Sequence, residues 1–174
     1  MSYVTLPYPF EPVEAPPEYR GKPEIDPKKC IGCGACSRAC PPDAIRVEDD
    51  LVSGVRRIIL DVSRCIRCAR CEEVCPTGAI KLTREFELAT PSKEDLLQIV
   101  EMRLARCSIC GKYVGRTVRQ IEKAKAVLSP LPRDRLEELL RVMTLCEDCR
   151  KRRVAQALQG VPTALLKVWG EVHG

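Results

Sequence analysis

Twelve cysteines are the residues best suited to chemistry in this chain of 174 residues, and all of them fall into short, regular spacings. Two matched runs come first, Cys30-x2-Cys33-x2-Cys36-x3-Cys40-Pro41 and Cys65-x2-Cys68-x2-Cys71-x3-Cys75-Pro76. Two CxxC pairs follow, Cys107 with Cys110 and Cys146 with Cys149. Thiolates are soft metal ligands, and short gaps let one loop direct several of them at a shared centre. The spacing therefore predicts metal centres.

The beginning of the chain bears on the redox state of these cysteines. Met1–Phe10 has neither the basic region nor the apolar stretch of a secretory signal. We therefore expect a reducing compartment, in which disulfides rarely persist. Metal ligation is the favoured use of the thiols.

Each long run is typical of a bacterial-type ferredoxin and predicts a 4Fe-4S cluster. Three cysteines of a run curl around one cluster, and the fourth ligates the other cluster. The predicted ligands are Cys30, Cys33, Cys36 and Cys75 for cluster 1, and Cys65, Cys68, Cys71 and Cys40 for cluster 2. Two zinc sites are the competing interpretation, which does not account for two matched runs with Cys-Pro endings.

The two runs belong to an internal repeat with a period of 35 residues. Outside the cysteines, Asp26 matches Asp61 and Ala44–Ile45 matches Ala79–Ile80. Such a repeat indicates a duplicated unit with pseudo-two-fold symmetry. We expect each half to hold a short strand, a ligand loop, a helical turn after Cys-Pro and another strand. Predicted strands are 46–48, 57–61 and 81–83, with a polar turn at 49–54.

The last four cysteines, Cys107, Cys110, Cys146 and Cys149, could form one tetrahedral four-thiolate site. Gly111 suits the tight turn of a zinc knuckle, and the second pair stands where a helix should begin. We expect structural zinc here. A third iron–sulfur cluster, another metal and an empty site are the alternatives. A catalytic CxxC redox pair is disfavoured because two pairs indicate shared coordination.

Residues 1–24 are rich in proline and carry four of the seven aromatic residues, namely Tyr3, Tyr8, Phe10 and Tyr19. Proline excludes helix and central strand, so we expect an extended arm. A disordered tail is one interpretation. An arm lying along a partner protein, with its aromatic rings in pockets, is favoured because disordered tails are poor in aromatics.

Helices are expected after the ferredoxin core. Ser92 resembles an N-cap, and Leu96, Leu97, Val100 and Leu104 form a stripe with helical spacing. Further helices are predicted at 116–128, 133–143 and 150–158. The predicted class is α+β, a bacterial-type two-cluster ferredoxin core with a long N-terminal arm and a small helical four-cysteine extension. The predicted domains are the arm 1–24, the ferredoxin domain 25–85, the extension 86–160 and a tail 161–174.

Charge is uneven along the chain. Residues 25–85 carry 11 basic and nine acidic side chains, whereas residues 103–153 carry 14 basic and six acidic ones. The basic segment fits a solvated face, a nucleic-acid patch, or a docking surface for an acidic partner or anionic lipid. No stacking aromatics accompany it, so we expect no nucleic acid. The near-neutral ferredoxin part lacks the field that steers diffusing carriers, which favours a carrier fixed in a complex.

Other function classes are excluded by composition and motifs. Only seven residues are aromatic, which argues against a large hydrophobic-core enzyme domain. No apolar run is long enough to span a membrane. The sequence has no nucleophile–base pair, phosphate loop or dinucleotide fingerprint, so we assign no catalytic residue.

The paired runs resemble the two-cluster ferredoxin subunit shared by respiratory complex I and membrane-bound hydrogenases. More narrowly, Arg20–Ile45, Cys71–Leu82 and the motifs CSICG and CEDCRK are similar to the formate hydrogenlyase and hydrogenase-4 type. The resemblance implies a subunit that relays electrons from an upstream donor module to the cluster-bearing small subunit beside a nickel–iron site. It also implies a cytoplasmic location, with the membrane contacted indirectly through the complex.

Two other functions compete with this relay. One is a soluble ferredoxin-type electron carrier with an appended zinc module, and the other is a nucleic-acid-binding zinc protein with structural clusters. The aromatic arm and the weak field favour the relay over the first. The missing stacking platform disfavours the second.

Overall fold

The computed structural model describes residues 8–159. Within that range the chain forms six strands and five α-helices, so the expected mixture of helix and sheet is confirmed. The strands are β1 (Pro23–Ile25), β2 (Ile45–Asp50), β3 (Val55–Asp61), β4 (Ile80–Leu82), β5 (Leu97–Arg106) and β6 (Tyr113–Thr117). The helices are α1 (Ala35–Arg38), α2 (Arg70–Glu73), α3 (Val118–Val127), α4 (Arg133–Met143) and α5 (Glu147–Gln159). The predicted tail 161–174 lies outside the described residues.

The described chain divides into two compact units. The first contains residues 8–48 and 57–101, and the second contains residues 49–56 and 102–159. One sheet pairs β1 with β4, and a second sheet has the strand order β2-β3-β5-β6. The boundaries between the units fall within β2, β3 and β5.

The core of the first unit is built on the internal repeat. Strands β1 and β4 pair antiparallel, with Ile25 opposite Ile80. The two repeat-related pairs Ala44–Ile45 and Ala79–Ile80 are all buried, as are Ile58 and Leu60 of β3. Equivalent residues of the two halves thus fill the same core, which explains why the repeat preserves their apolar character.

Helical turns α1 and α2 occupy equivalent positions in the two ligand loops, but they differ from the prediction. Each contains the third cysteine of its run and ends before the Cys-Pro step, whereas the sequence placed the turn after it. Proline carries no backbone N–H and clashes with the preceding turn of a helix, so the helix ends before Cys40 and Cys75. Turns without helix follow Pro41 and Pro76.

The hairpin of β2 and β3 confirms the predicted strands and turn. Its tip bends at Gly54, which has φ 75° and donates to Asp50 O at 2.8 Å. Asp50 Oδ1 also accepts from the backbone of Val52 and Ser53. The turn residues Asp50–Gly54 therefore satisfy one another locally, as the polar sequence indicates.

The helix predicted after Ser92, with the stripe of Leu96, Leu97, Val100 and Leu104, is wrong. Ser92 caps only a short 3-10 turn, Lys93–Leu96, and the chain then extends as β5. Alternate residues Val100, Met102 and Leu104 are buried along this strand, which is the two-residue period of a strand rather than a helical stripe. The four-residue spacing of Val100 and Leu104 fits both periods, and pairing in the sheet decides between them; Leu97 lies on the other face of the strand and is exposed.

The second unit ends in three helices, each of which overlaps a predicted one. Helix α4 spans the predicted 133–143, whereas α5 begins directly after Cys146, three residues before the predicted 150. Helix α3 begins later than predicted because Thr117 forms a capping box with Gln120, with hydrogen bonds of 3.1 and 2.8 Å. The extension is therefore not wholly helical, since β5 and β6 precede these helices.

Candidate metal centres

Two cavities of similar size lie in the first unit, with about 350 and 340 Å³ of space including that open to solvent. Besides cysteines, the walls of both cavities consist mostly of apolar and small residues. These include Ile25 and Ile58 at the first cavity and Leu60 and Ala44 at the second. The first cavity is lined by Cys30, Cys33, Cys36 and Cys75. The second is lined by Cys65, Cys68, Cys71 and Cys40. Each cavity thus combines three cysteines of one run with the last cysteine of the other.

The two ligand loops have the same backbone conformation. Three repeat-related pairs of residues have positive φ: Gly32 (72°) with Arg67 (55°), Gly34 (71°) with Ala69 (65°), and Asp43 (50°) with Gly78 (59°). The left-handed conformation costs a non-glycine residue about 1 kcal/mol. It is nevertheless kept in both halves, because it curls each loop so that successive thiols face one cavity.

Burial opposes charge on the thiols inside these cavities. Desolvation, with the neighbouring thiolates of Cys30 and Cys33, raises the pKa of Cys36 to about 12. Desolvation likewise raises the pKa of Cys71 to about 11, aided by Cys65. Buried thiolates therefore need a compensating positive charge, which iron supplies in a cluster. The donor set and the apolar walls both fit 4Fe-4S clusters.

Cys75 differs from these buried thiols. Burial acts to raise its pKa, but backbone N–H donors and the Thr77 hydroxyl outweigh burial and lower it. The Ala79 N–H donates to Cys75 Sγ at 3.2 Å, and Thr77 Oγ1 lies 3.7 Å from that sulfur. A sulfur that already accepts hydrogen bonds is stabilised as a thiolate, the form that binds iron.

The four remaining cysteines converge in the second unit. The sulfur atoms of Cys107, Cys110, Cys146 and Cys149 all lie within 4.8 Å of one another. Cys110 Sγ and Cys146 Sγ are 3.5 Å apart. Four thiolates around a tetrahedral zinc ion stand about 3.8 Å apart. The group is therefore preformed at nearly the spacing that one metal ion requires.

Local structure explains how these four thiols meet. The first pair lies on a turn after β5, closed by Gly111 N–H donating to Cys107 O at 3.0 Å, with Gly111 at φ 72°. The second pair lies at the beginning of α5. Ser108 N donates to Thr144 O at 3.2 Å and joins the two segments. A buried cluster supports the site from within, namely Ala105, Cys107, Val114, Leu145 and Cys149.

The electrostatic environments of the four thiols are unequal. Backbone N–H groups of Cys110 and Cys146 lower the pKa of Cys107 to about 6. A hydrogen bond from Cys149 to the Cys146 sulfur, with desolvation, raises the pKa of Cys149 to about 12. Arg152 Nη2 lies 3.7 Å from Cys149 Sγ. The lowered pKa of Cys107 favours its thiolate form, and Arg152 places a positive charge near Cys149.

Aromatic residues of the arm make contacts that the sequence reasoning missed. Tyr8 and Tyr19 pack against Phe86 of the same chain, with ring centroids 6.1 and 6.0 Å apart. Phe10 is 91% exposed. From the sequence we expected the aromatic side chains of the arm to fill pockets on a partner protein. Two of them, Tyr8 and Tyr19, instead contact Phe86 of the same chain. Tyr3 lies outside the described residues.

Across residues 8–159, none of the helices is both long and apolar enough to cross a membrane.

Comparisons with known proteins bear on both the clusters and the whole chain. Residues 29–79 match the family model of a 4Fe-4S dicluster domain, and this range includes all eight cysteines of the two runs. Formate hydrogenlyase subunit 6 of Escherichia coli K12 is 42% identical over 149 residues, which cover 86% of this chain and 82% of that protein. Chloroplast NAD(P)H-quinone oxidoreductase subunit I of Hordeum vulgare is 40% identical, over 70% of this chain and 71% of that protein.

One solved structure matches part of this chain. In the membrane-bound sulfane sulfur reductase, an archaeal respiratory membrane complex, one chain is 36% identical with a TM-score of 0.44. That match spans about half of each molecule, 55% of this chain and 52% of the other. The match to formate hydrogenlyase subunit 6 is the longer of the two, because it covers 86% of this chain. By that match, the chain belongs to the formate hydrogenlyase subunit 6 family.

Proposed function

We propose that this chain is the electron-relay iron–sulfur subunit of a formate hydrogenlyase-like or related hydrogenase complex. It passes electrons through two 4Fe-4S clusters toward the hydrogenase small subunit. The observation that carries the proposal is the pair of cavities, each lined by four cysteines and bounded by apolar residues. One relative is named as a subunit of formate hydrogenlyase and another as a subunit of NAD(P)H-quinone oxidoreductase, which supports work inside a complex.

The proposed ligation is crossed between the repeats. Cys75 completes the set of Cys30, Cys33 and Cys36, and Cys40 completes the set of Cys65, Cys68 and Cys71. The lining of the cavities supports this assignment. Each bound cluster supplies a one-electron couple. Crossed ligands tie the two cavities together through short segments of chain, so the spacing between the redox centres is fixed.

The test compares two last-cysteine variants with two reference variants in anaerobically purified protein. Wild type should contain about eight iron atoms in the two runs. Cys75→Ser should lose the same paramagnetic signal as Cys33→Ser, and Cys40→Ser the same signal as Cys68→Ser. Electron paramagnetic resonance of the reduced proteins measures this. If Cys75→Ser instead matches Cys68→Ser, the ligation is not crossed.

The four-cysteine group is proposed to hold one structural zinc ion. Its sulfurs stand within 4.8 Å of one another, and four thiolates form a closed coordination shell without an open position for substrate. The second unit has a small buried core, to which Cys107 and Cys149 themselves belong. Metal bound to these thiolates would contribute to the stability of a unit with few apolar residues to bury.

The partners are proposed to be the small subunit of the hydrogenase and an upstream electron donor module. Phe10 supports a contact through the arm, since its side chain is 91% exposed and therefore available to a partner. Pro9 and Pro12 flank it and restrict the chain, which lowers the entropy lost on docking. Assembly at the cytoplasmic side of a membrane stays a prediction from the sequence.

A further inference from the structure

The two ligand loops differ most at one repeat-related position. Arg67 lines the second cavity, where Gly32 lines the first. Both residues have positive φ, 55° for Arg67 and 72° for Gly32. Glycine adopts this conformation without strain, whereas arginine does not. The second loop therefore carries a long, positively charged side chain at a position where the first loop has no side chain.

The guanidinium of Arg67 is fixed in place by the arm. Arg67 Nη1 donates to Tyr19 Oη at 2.9 Å. The Tyr19 ring packs edge-on against Phe86 with centroids 6.0 Å apart, and the Tyr19 N–H donates to Pro16 O at 3.0 Å. Arg67, a residue that lines the second cavity, is therefore fixed in place by a residue distant in sequence.

The backbone of Arg67 acts on the same site. Its N–H donates to Cys65 Sγ at 3.3 Å. The two acidic residues of the adjoining α2 are engaged elsewhere, Glu72 with the Leu82 N–H at 2.9 Å and Glu73 with Arg70 at 2.8 Å. The Arg67 N–H thus acts directly on a proposed cluster ligand, and each of these two carboxylates has a partner of its own.

Charge of this kind acts on a redox couple. Accepting one electron makes a cluster with its four thiolates more negative by one unit. A fixed positive charge nearby stabilises the reduced form more than the oxidised form, and little water intervenes to screen it in a partly buried site. Net charge and hydrogen bonds to sulfur are both known determinants of cluster potentials.

We propose that Arg67, positioned by Tyr19, raises the reduction potential of the cluster held by Cys40, Cys65, Cys68 and Cys71 above that of the other cluster. The proposal rests on the two-cluster function proposed above. The two halves of the repeat would then be unequal electron acceptors. An electron shared by the pair would reside mainly on the cluster beside Arg67.

The test is a redox titration of the full, cluster-loaded chain followed by electron paramagnetic resonance. At a fixed ambient potential, Arg67→Gly should lower the reduced-to-oxidised ratio of one cluster about tenfold, which is 59 mV for a one-electron couple. Arg67→Gln keeps the length of the side chain without its charge and should act in the same direction. Arg67→Lys should retain most of the wild-type ratio. Tyr19→Phe should give a smaller decrease, because the charge remains but loses its anchor.

Variants that lack one of the two clusters show which cluster has the changed reduction potential. The decrease should persist in Cys33→Ser, which retains the cluster beside Arg67, and should be absent from Cys68→Ser. Arg64→Gly is the matched control, since Arg64 is an exposed arginine of the same loop that donates to Pro42 O at 3.2 Å. Arg64→Gly should shift the reduction potential of either cluster by only a small fraction of the shift that Arg67→Gly causes.

The outcomes separate this inference from the proposed function. Two clusters whose potentials are unchanged in both Arg67→Gly and Arg67→Gln overturn the inference alone. An equal shift of both clusters, or an equal effect of Arg64→Gly, also overturns it. A wild-type protein with fewer than two clusters overturns the proposed function and this inference together.

Discussion

Arg56 and Asp49 form a bidentate ion pair within the second compact unit. Arg56 Nε donates to Asp49 Oδ1 and Arg56 Nη2 donates to Asp49 Oδ2, both at 2.6 Å. Arg56 Nη2 also donates to Gly115 O at 3.1 Å, and the residue is only 8% exposed. The pair therefore ties the β2–β3 hairpin to β6 around one buried charge.

Asp49→Ala should destabilise this part of the fold, because it leaves the buried guanidinium without its anion. We expect the free energy of local opening at β6 to fall by about 2 kcal/mol. Native-state hydrogen exchange of the Tyr113–Thr117 amides measures it. Glu101→Ala is the control, since the Arg57–Glu101 pair at 2.7 Å is well exposed. Its effect should stay under about 1 kcal/mol, and equal effects would contradict the burial argument.

Gly54→Ala should destabilise the same hairpin for a steric reason. A Cβ at Gly54 would overlap the ring of Tyr113, and φ is 75° at this position. Gly78→Ala meets nothing within 4 Å at φ 59°, and the repeat-related residue is Asp43, already a non-glycine. We expect a loss of about 1 kcal/mol for Gly78→Ala and more than about 2 kcal/mol for Gly54→Ala.

Thermal denaturation midpoints of the metal-loaded proteins rank the two glycine variants. The Gly54→Ala midpoint should be clearly the lower. Identical midpoints would mean that Tyr113 moves aside at no cost.

Cys146→Ser should remove zinc and unfold the second unit without disturbing the iron–sulfur clusters. The wild type should contain about one zinc per chain, because the four thiolates form one site. The variant should contain none, since three thiolates hold structural zinc poorly. Metal analysis, far-ultraviolet circular dichroism and visible cluster absorbance are the measurements.

Ser108→Ala is the matched control for zinc loss. Ser108 lies between Cys107 and Cys110 on the same turn but offers no sulfur ligand. It should keep both zinc and helical signal. A third paramagnetic centre in the reduced wild type would show that the site holds an iron–sulfur cluster instead.

Phe10→Ala should weaken attachment to the rest of the complex while leaving the subunit itself intact. The side chain is 91% exposed, so its removal costs the isolated fold almost nothing. Burial of a phenylalanine against a partner contributes about 2 kcal/mol, so co-purification with the hydrogenase subunits should fall. Glu11→Ala, the neighbouring exposed residue, should co-purify as wild type does. Undiminished co-purification of Phe10→Ala would make the arm a passive tail.

Local patterns in the sequence predicted much of the site. The spacing of the cysteine runs indicates how one loop can surround a cluster, and the four cysteines predicted for each cluster are the four that line one cavity. Helix α4 was also predicted closely, because Pro130 and Pro132 limit where it can begin and its apolar spacing is unambiguous. These features depend on residues close together in the chain.

Tertiary structure decided the features that depend on distant partners. Strand β5 was predicted as a helix, because the four-residue spacing of Val100 and Leu104 permits both forms and pairing in the sheet selected the strand. The contacts of Arg67 with Tyr19 and of Arg56 with Gly115 join residues 48 and 59 positions apart. A sequence specifies its own periodicity and turns, but which charged groups meet is set by packing of the whole unit, since hydrogen bonds act over only about 3 Å.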